Sequence, residues 1–361
     1  MEPPSGYQLF VGVDIAATTF TVAWSAQQRP LTFAQTPDGF AALQQQLLAT
    51  SSAPAETLLV LEATSSYWVA LAVALHDAGY QVSVVNPKLI HNYAKSLPRR
   101  AKTDALDAQL LRHFAQERQP APWTPPPAVY HELRQRLVAR DAVAEMRQQA
   151  RNQRHALEQW PVVVDTVLHQ FMAIETDLDA RLATLDAEIA TVLADGAWAE
   201  SASLLQSIPG IGPTTAAWLL VATLNFDLCT TPQAAVAYVG LNPLPYESGS
   251  SVRGQPRMGR GGHRRLRKAL YLATLSAARY NPIIKAFYAR LRTSGKPMKV
   301  ARCAAARKLL HLAWAVVTKR QRFDPAYAMR HEAVRVANRV KGGAAVAKRL
   351  RSETEALDAT R

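Results

Sequence analysis

Leu9-Phe10-Val11-Gly12-Val13 is a short apolar run that stops at a carboxylate, Asp14. Thr57-Leu58-Leu59-Val60-Leu61 does the same at Glu62. Runs of this length, bounded by turn residues, read as buried strands. Between them Phe20–Trp24 and Leu31–Ala34 are β-rich and separated by turn residues, so the first three segments form an antiparallel meander. A helical stretch runs from Gly39 to Ala49. Another runs from Trp68 to Ala78, with Gly79 as its stop. Gln81–Val85 reads as a further strand, closed by Asn86-Pro87, and Lys88 to Arg118 turns basic and helical in two pieces. The front of the chain is therefore α/β.

The chain has 361 residues, more than one core usually holds, so at least two domains are expected. Pro120–Pro127 is a Pro-rich linker and the first boundary. Residues 128–200 read as helical, broken into two arms at Pro161. In the second arm Phe171, Ile174, Leu178, Leu182, Leu185, Ile189 and Val192 step by three or four. That apolar seam suits either a hairpin packed within its own domain or a dimerisation arm. Residues 201–330 read as largely helical, with a polar, Gly-rich loop over Pro245–Gly262 and a Gly/Pro-punctuated turn at Ile208–Pro213.

The net charge of +14 is unevenly spread: residues 1–250 carry −8 and residues 251–361 carry +22. A basic back end points to a polyanion, nucleic acid first and an acidic membrane surface second. Two cysteines, Cys229 and Cys303, exclude a disulfide scaffold and a Cys-rich zinc site. Cys303, on an apolar helix, reads as a small core residue. Apolar runs are too short to span a bilayer, and Met1–Gly6 does not read as a secretory signal. A reducing, cytoplasmic setting is expected.

Asp14 and Glu62 end strands, and Asp104 and Asp107, three apart, share one face of a helix. Carboxylates converging at a sheet edge suit Mg²⁺, and two such ions would stabilise both oxygens of a phosphoryl transfer. Each acid alone also reads as a turn or surface residue. Arg99, Arg100 and Lys102 lie beside this set, as a site holding both metal and phosphate would require.

Val11-Gly12-Val13-Asp14, Leu61-Glu62-Ala63-Thr64, Val84-Val85-Asn86-Pro87 and Lys102-Thr103-Asp104-Ala105-Leu106-Asp107-Ala108 together resemble the Piv-type DEDD transposases. These form the insertion-sequence one-ten family, also called bridge recombinases. The resemblance implies an α/β RNase H-like (RuvC-like) domain over residues 1–120, with Asp14, Glu62, Asp104 and Asp107 as Mg²⁺ ligands and Mn²⁺ as a possible substitute. A helical, coiled-coil linker or dimerisation region follows over 121–200. A mostly α transposase domain with a helix-hairpin-helix element covers 201–330, and a basic tail covers 331–361. The family often carries Ser-Lys soon after the first Asp. Ala16-Ala17-Thr18 stands here instead, which leaves the acids intact and alters a nearby phosphate contact.

The second motif is Leu241-Asn242-Pro243-Leu244-Pro245-Tyr246-Glu247-Ser248-Gly249-Ser250-Ser251-Val252-Arg253-Gly254, followed by Arg257, Arg260, Gly261-Gly262-His263 and Arg264-Arg265. Glycines allow close backbone approach, arginines grip phosphate, and a serine can attack a phosphodiester. Chemistry alone does not separate Ser248, Ser250 and Ser251. Ala237-Tyr238-Val239-Gly240-Leu241 leading into Tyr246-Glu247-Ser248-Gly249 resembles the C-terminal domain of the same family, which implies Ser248 as the nucleophile. No general base for it is visible.

Ser207-Ile208-Pro209-Gly210-Ile211-Gly212-Pro213-Thr214 reads either as a helix-hairpin-helix turn that offers backbone N–H groups to phosphate, through Gly210 and Gly212, or as an ordinary interhelical turn. His263 suits a structural or phosphate-contacting role. The family further implies donor and target DNA, a structured bridge RNA that supplies sequence specificity, a dimer or tetramer, and a cytoplasmic, nucleoid-associated bacterial setting. Two other readings remain open at this level. One is a hydrolytic Holliday-junction resolvase using the four acids and water. The other is a non-catalytic nucleic-acid-binding protein.

Overall fold

Five strands in the order β3-β2-β1-β4-β5 build the sheet of the first of two compact units, which divide at Pro125/Pro126. The computed structural model describes residues 6–25, 28–50, 52–97, 103–248, 252–259 and 261–326. Arg99, Arg100, Lys102, Arg260, the Gly249–Ser251 tripeptide and the expected basic tail lie outside the described residues. Strands β1 (Leu9–Ile15), β2 (Thr19–Ala23) and β3 (Leu31–Ala34) form the expected antiparallel meander. After helix α1 (Pro37–Leu48), strand β4 (Thr57–Glu62) pairs parallel with β1. Helix α2 (Trp68–Asp77) then leads to β5 (Gln81–Val85), parallel to β4. Helices α3 (Pro87–Lys95) and α4 (Asp104–Arg118) complete the unit.

Strand alternation sorts these residues into two cores. Val11, Val13, Leu59 and Leu61 pack with Phe40, Leu43, Leu47, Leu71 and Leu75 of α1 and α2. Leu58 and Val60 pack on the other face with Ile90, Tyr93, Leu110, Leu111 and Phe114 of α3 and α4. Gly12 and Asp14 of β1, and Glu62 of β4, share the period of that second face. A Cβ on Gly12 would stand 2.1 Å from the Ala108 carbonyl oxygen and 2.2 Å from the Arg112 nitrogen. Glycine is thus what lets the α4 backbone lie directly on β1.

In the second unit, α5 (Ala128–Leu157) and α6 (Asp165–Asp195) form a long helical hairpin. The apolar seam of α6 packs within the chain: Leu178, Leu182 and Ile189 are buried, whereas Ile174, nearer the tip, is 46% exposed. Arginines of α5 ladder onto acids of α6: Arg136 to Glu188 at 3.0 Å, Arg151 to Asp179 at 3.2 Å and Arg154 to Glu175 at 2.7 Å. The base of the hairpin shares one core with α7 (Ala199–Gln206), α8 (Pro213–Thr223) and α9 (Pro232–Val239). After strands β6 (Pro243–Ser248) and β7 (Val252–Met258), helices α10 (Arg264–Tyr280) and α12 (Met298–Thr318) add to that core, and α11 (Pro282–Thr293) packs between them. Helix α8 is buried from Ala216 to Thr223. Cys229 is buried in this core, while Cys303 is only half-buried.

One expectation is corrected. The segment Pro245–Gly262, read as a polar loop, is mostly a two-stranded antiparallel hairpin of β6 and β7. Its prolines and glycines hide the strand signal. A two-stranded ribbon has a free edge on each side, which tolerates proline, and the register shifts between Leu244 and Tyr246, where Pro245 sits. Among the described residues no helix is long and apolar enough to cross a membrane.

Candidate active site and nucleic-acid interface

The ends of the parallel strands place the first two acids. Val13 pairs with Leu61 in parallel register, so Asp14 and Glu62 follow side by side at the same end of the sheet. Thr103 caps α4, its hydroxyl accepting from the Leu106 N–H at 3.3 Å, which sets Asp104 and Asp107 in the first turn. Acids are favoured there by the helix dipole. The tight seat of α4 on Gly12 brings that turn to the sheet edge. All four carboxylates line one cleft of about 810 Å³.

Asp14 is the electrostatic centre of the cleft. Its carboxyl is pushed up to about 6, first by burial and then by the negative charges of Asp107, Asp104 and Glu62; the Ile15 backbone N–H opposes the shift. The cleft thus gathers more negative charge than it neutralises, and its donors are carboxylate oxygens of the kind that suit a hard divalent cation. Among the described residues, no three Asp, Glu, His or Cys side chains stand close enough to share one ion. Ion binding would therefore require the carboxylates to draw inward.

Other cleft residues escaped the sequence reading. Thr64 donates from its hydroxyl to Glu62 Oε1 at 3.1 Å and fixes that carboxylate. Helix α3, started by Asn86 accepting from the Lys88 N–H at 2.8 Å, also lines the cleft, with His91 and Lys95 one turn apart. Tyr93 ties α3 to α4 by donating to Glu117 at 2.5 Å. The i, i+4 spacing of His91 and Lys95 was visible in the sequence, but nothing there showed which way α3 faces.

In the second unit Ser248 ends β6 opposite Val252, and Arg253 and Arg257 lie on β7. The base of this hairpin is pinned. Gly240 and Gly262 both have positive φ, and their backbones approach so closely that a Cβ on Gly262 would meet the Gly240 nitrogen at 2.5 Å. Arg267 donates to the Gly261 carbonyl at 2.7 Å and to the Val239 carbonyl at 3.2 Å, bridging both ends. His263 caps α10: its Nδ1 accepts from the Leu266 N–H at 3.1 Å, so the neutral ring carries its proton on Nε2. Burial, with help from Arg134 and Arg265, lowers its pKa and keeps it neutral. Arg264 and Arg265 are exposed in the first turn of α10, Arg265 over the Trp218 ring at 5.6 Å. Gly210 packs on Ala277 of α10, whereas Gly212, before α8, faces open space.

The chain is 32% identical to a pilin gene-inverting protein of Moraxella bovis over 321 residues, covering 87% of this chain and 97% of that one. Residues 11–159 match a DEDD transposase family model described as "Transposase", and residues 202–289 match one described as "Transposase IS116/IS110/IS902 family". The chain belongs to the IS110 family of transposases. Further relatives are a 42 kDa protein of insertion element IS900 from Mycobacterium paratuberculosis, 31% identical over 52% of this chain and 46% of that one, and the transposase of insertion sequence IS1328 from Yersinia enterocolitica, 24% identical over 69% and 80%. The first matched IS110-family region takes in Asp14, Glu62, Asp104 and Asp107 and runs on along α5. The second spans from α7 into α11 and takes in Ser248 and the pinned hairpin. As a member of that family the chain is a DNA transposase/recombinase.

Proposed function

We propose that this transposase cleaves and rejoins DNA strands with a divalent-metal site on Asp14, Glu62, Asp104 and Asp107 and a nucleophilic serine, Ser248. The observation that carries the reading is the convergence of the four carboxylates on one cleft, with Asp14 raised to about 6 partly by the other three. The mixed sheet, with an antiparallel meander leading into parallel β4 and β5, supports the RNase H-like reading of the first unit. The expected helix-hairpin-helix turn keeps some support from the open approach to Gly212.

In this reading the four carboxylates would hold Mg²⁺, which when bound supplies positive charge to the attacking and leaving oxygens of a phosphoryl transfer. Ser248 Oγ attacks the scissile phosphorus, a serine O–P bond forms, the P–O3′ bond breaks, and the 3′-oxygen leaves as a hydroxyl. The phosphoserine conserves the energy of the broken bond for rejoining to another 3′-hydroxyl, through a Holliday-type junction. Lys95 and His91 line the same cleft, where the Lys95 ammonium and a His91 ring N–H would meet the phosphate. A bridge RNA pairing with donor and target DNA, and a dimer or tetramer acting in the cytoplasm, complete the reading by likeness to the family.

A suicide DNA substrate nicked near the cleavage site tests it. Wild type with Mg²⁺ should trap a covalent protein–DNA adduct, and Ser248→Ala should trap none. An adduct persisting in Ser248→Ala overturns the serine assignment. Cleavage to free 5′-phosphate ends, with no adduct in the wild type, favours the hydrolytic resolvase. Binding without any cleavage favours a non-catalytic protein.

A further inference from the structure

Helices α10 to α12 carry a second pocket that the acid cleft does not explain. It has a volume of about 520 Å³ and is lined by Arg279 and Tyr280 at the end of α10, Tyr288 of α11 and Arg302 of α12, with Leu275 and Ser276 at its side. That size falls in the range of small-ligand sites, roughly 300–1,000 Å³. Its chemistry is paired: two guanidinium groups and two phenol rings on a surface without acids. Residues 264–318 contain thirteen Lys or Arg and no Asp or Glu. Five of the six arginines of α5 differ, since they are met by acids of α6.

One of the two rings is exposed at a cost, whereas Tyr288 is half-buried and packs on the core. Tyr280 is 70% exposed and Leu275 beside it 43% exposed. A flat ring standing free next to guanidinium groups is a platform for a planar partner that also carries negative charge. Duplex DNA offers phosphates but keeps its bases stacked inside. An unpaired nucleotide offers both a phosphate and an open base face.

We infer that the pocket between α10, α11 and α12 holds an unpaired nucleotide of a single-stranded nucleic acid, with its base on Tyr280, Tyr288 forming part of the wall, and its phosphate on Arg279 and Arg302. The inference goes beyond the carboxylate-and-serine reading and does not depend on it, because it asks only for binding.

The test uses the full chain and ten-nucleotide single strands of DNA and of RNA, each with 2-aminopurine at one position, alongside a duplex of the same sequence. Tyr280→Ala should weaken single-strand binding by roughly five- to hundredfold and abolish the 2-aminopurine quench, with duplex binding unchanged. Tyr280→Phe should retain both signals, because stacking needs the ring and not the hydroxyl. Arg302→Gln should lower the slope of log K against log salt for single strands by about 0.7. Because Tyr280 is exposed, its truncation leaves the core intact, so a loss of single-strand binding cannot be assigned to misfolding. Tyr280→Ala binding single strands like wild type overturns the proposal, as does an equal loss on duplex and single strand. A preference for the RNA or the DNA strand identifies which one supplies the nucleotide.

Discussion

Asp14 keeps its proton up to about pH 6, above the ordinary 3.8, first because burial penalises its charged form and then because Asp107, Asp104 and Glu62 stand near it. Between those two values the folded protein holds a proton that the unfolded chain releases. The stabilising contribution is therefore fully present below about pH 3.8 and lost as pH rises through about 6. With divalent ions chelated at pH 7.5, Asp14→Asn should melt higher than wild type. Solvent screening of this partly exposed group limits the gain to roughly 2–4 °C, what about 1 kcal/mol gives in a domain of moderate size. The difference should shrink toward pH 4. Excess Mg²⁺ should raise the wild-type melting temperature and leave the variant nearly unmoved. Thermal melts across pH with and without chelator settle it, and a variant that melts below wild type in chelator at pH 7.5 sinks the electrostatic account.

At the scale of elements, the sheet was legible and the β6–β7 hairpin was not, for one physical reason. Strands β1 and β4 are buried on both faces, so burial itself writes apolar runs into the sequence, and those runs are interrupted by the half-buried acids Asp14 and Glu62. Strands β6 and β7 are held by pairing to each other and by the clamp at Gly240, Gly262 and Arg267, none of which leaves a local pattern. The acids Asp104 and Asp107 were legible as a helical pair. Their approach to β1 depends on Gly12, whose importance shows only when α4 lies against it. Gly12→Ala forces a methyl into the α4 backbone, so α4 must lift from the sheet and carry its two acids away. An overpacking cost of about 1–3 kcal/mol is expected in urea denaturation. Strand cleavage should be lost even at temperatures where the variant is fully folded. Wild-type cleavage by a folded Gly12→Ala protein would show that the cleft tolerates displacement of α4.

Across the whole molecule the charge is split, −8 over residues 1–250 and +22 over residues 251–361, and nearly all of the negative excess belongs to residues 126–250 rather than to the unit that holds the acid cleft. In the proposed reading the acids of the cleft repel a polyanion and would serve it through a bound cation. Apart from Arg134, which meets Tyr130, the arginines of the α5–α6 hairpin are engaged with acids of their own chain. The stretch over α10 to α12 has no acid of its own, and apart from Asp141 of α5, which interacts with Arg265 and Lys268, it is where cationic charge is offered to phosphate. Binding and chemistry should therefore separate under mutation. Asp104→Asn with Asp107→Asn removes two negative charges from the cleft, so it should abolish strand cleavage while nucleic-acid affinity stays unchanged or tightens. Lys285→Ala, an exposed cation on α11, should weaken binding nearly equally on unrelated sequences and lower the salt slope by about 1. Fluorescence anisotropy over a salt series, run beside a cleavage assay on the same preparations, reads both effects. If the double Asp variant lost affinity along with cleavage, the acids would have to contribute to holding the nucleic acid, and the division between a catalytic front and a binding back would fail.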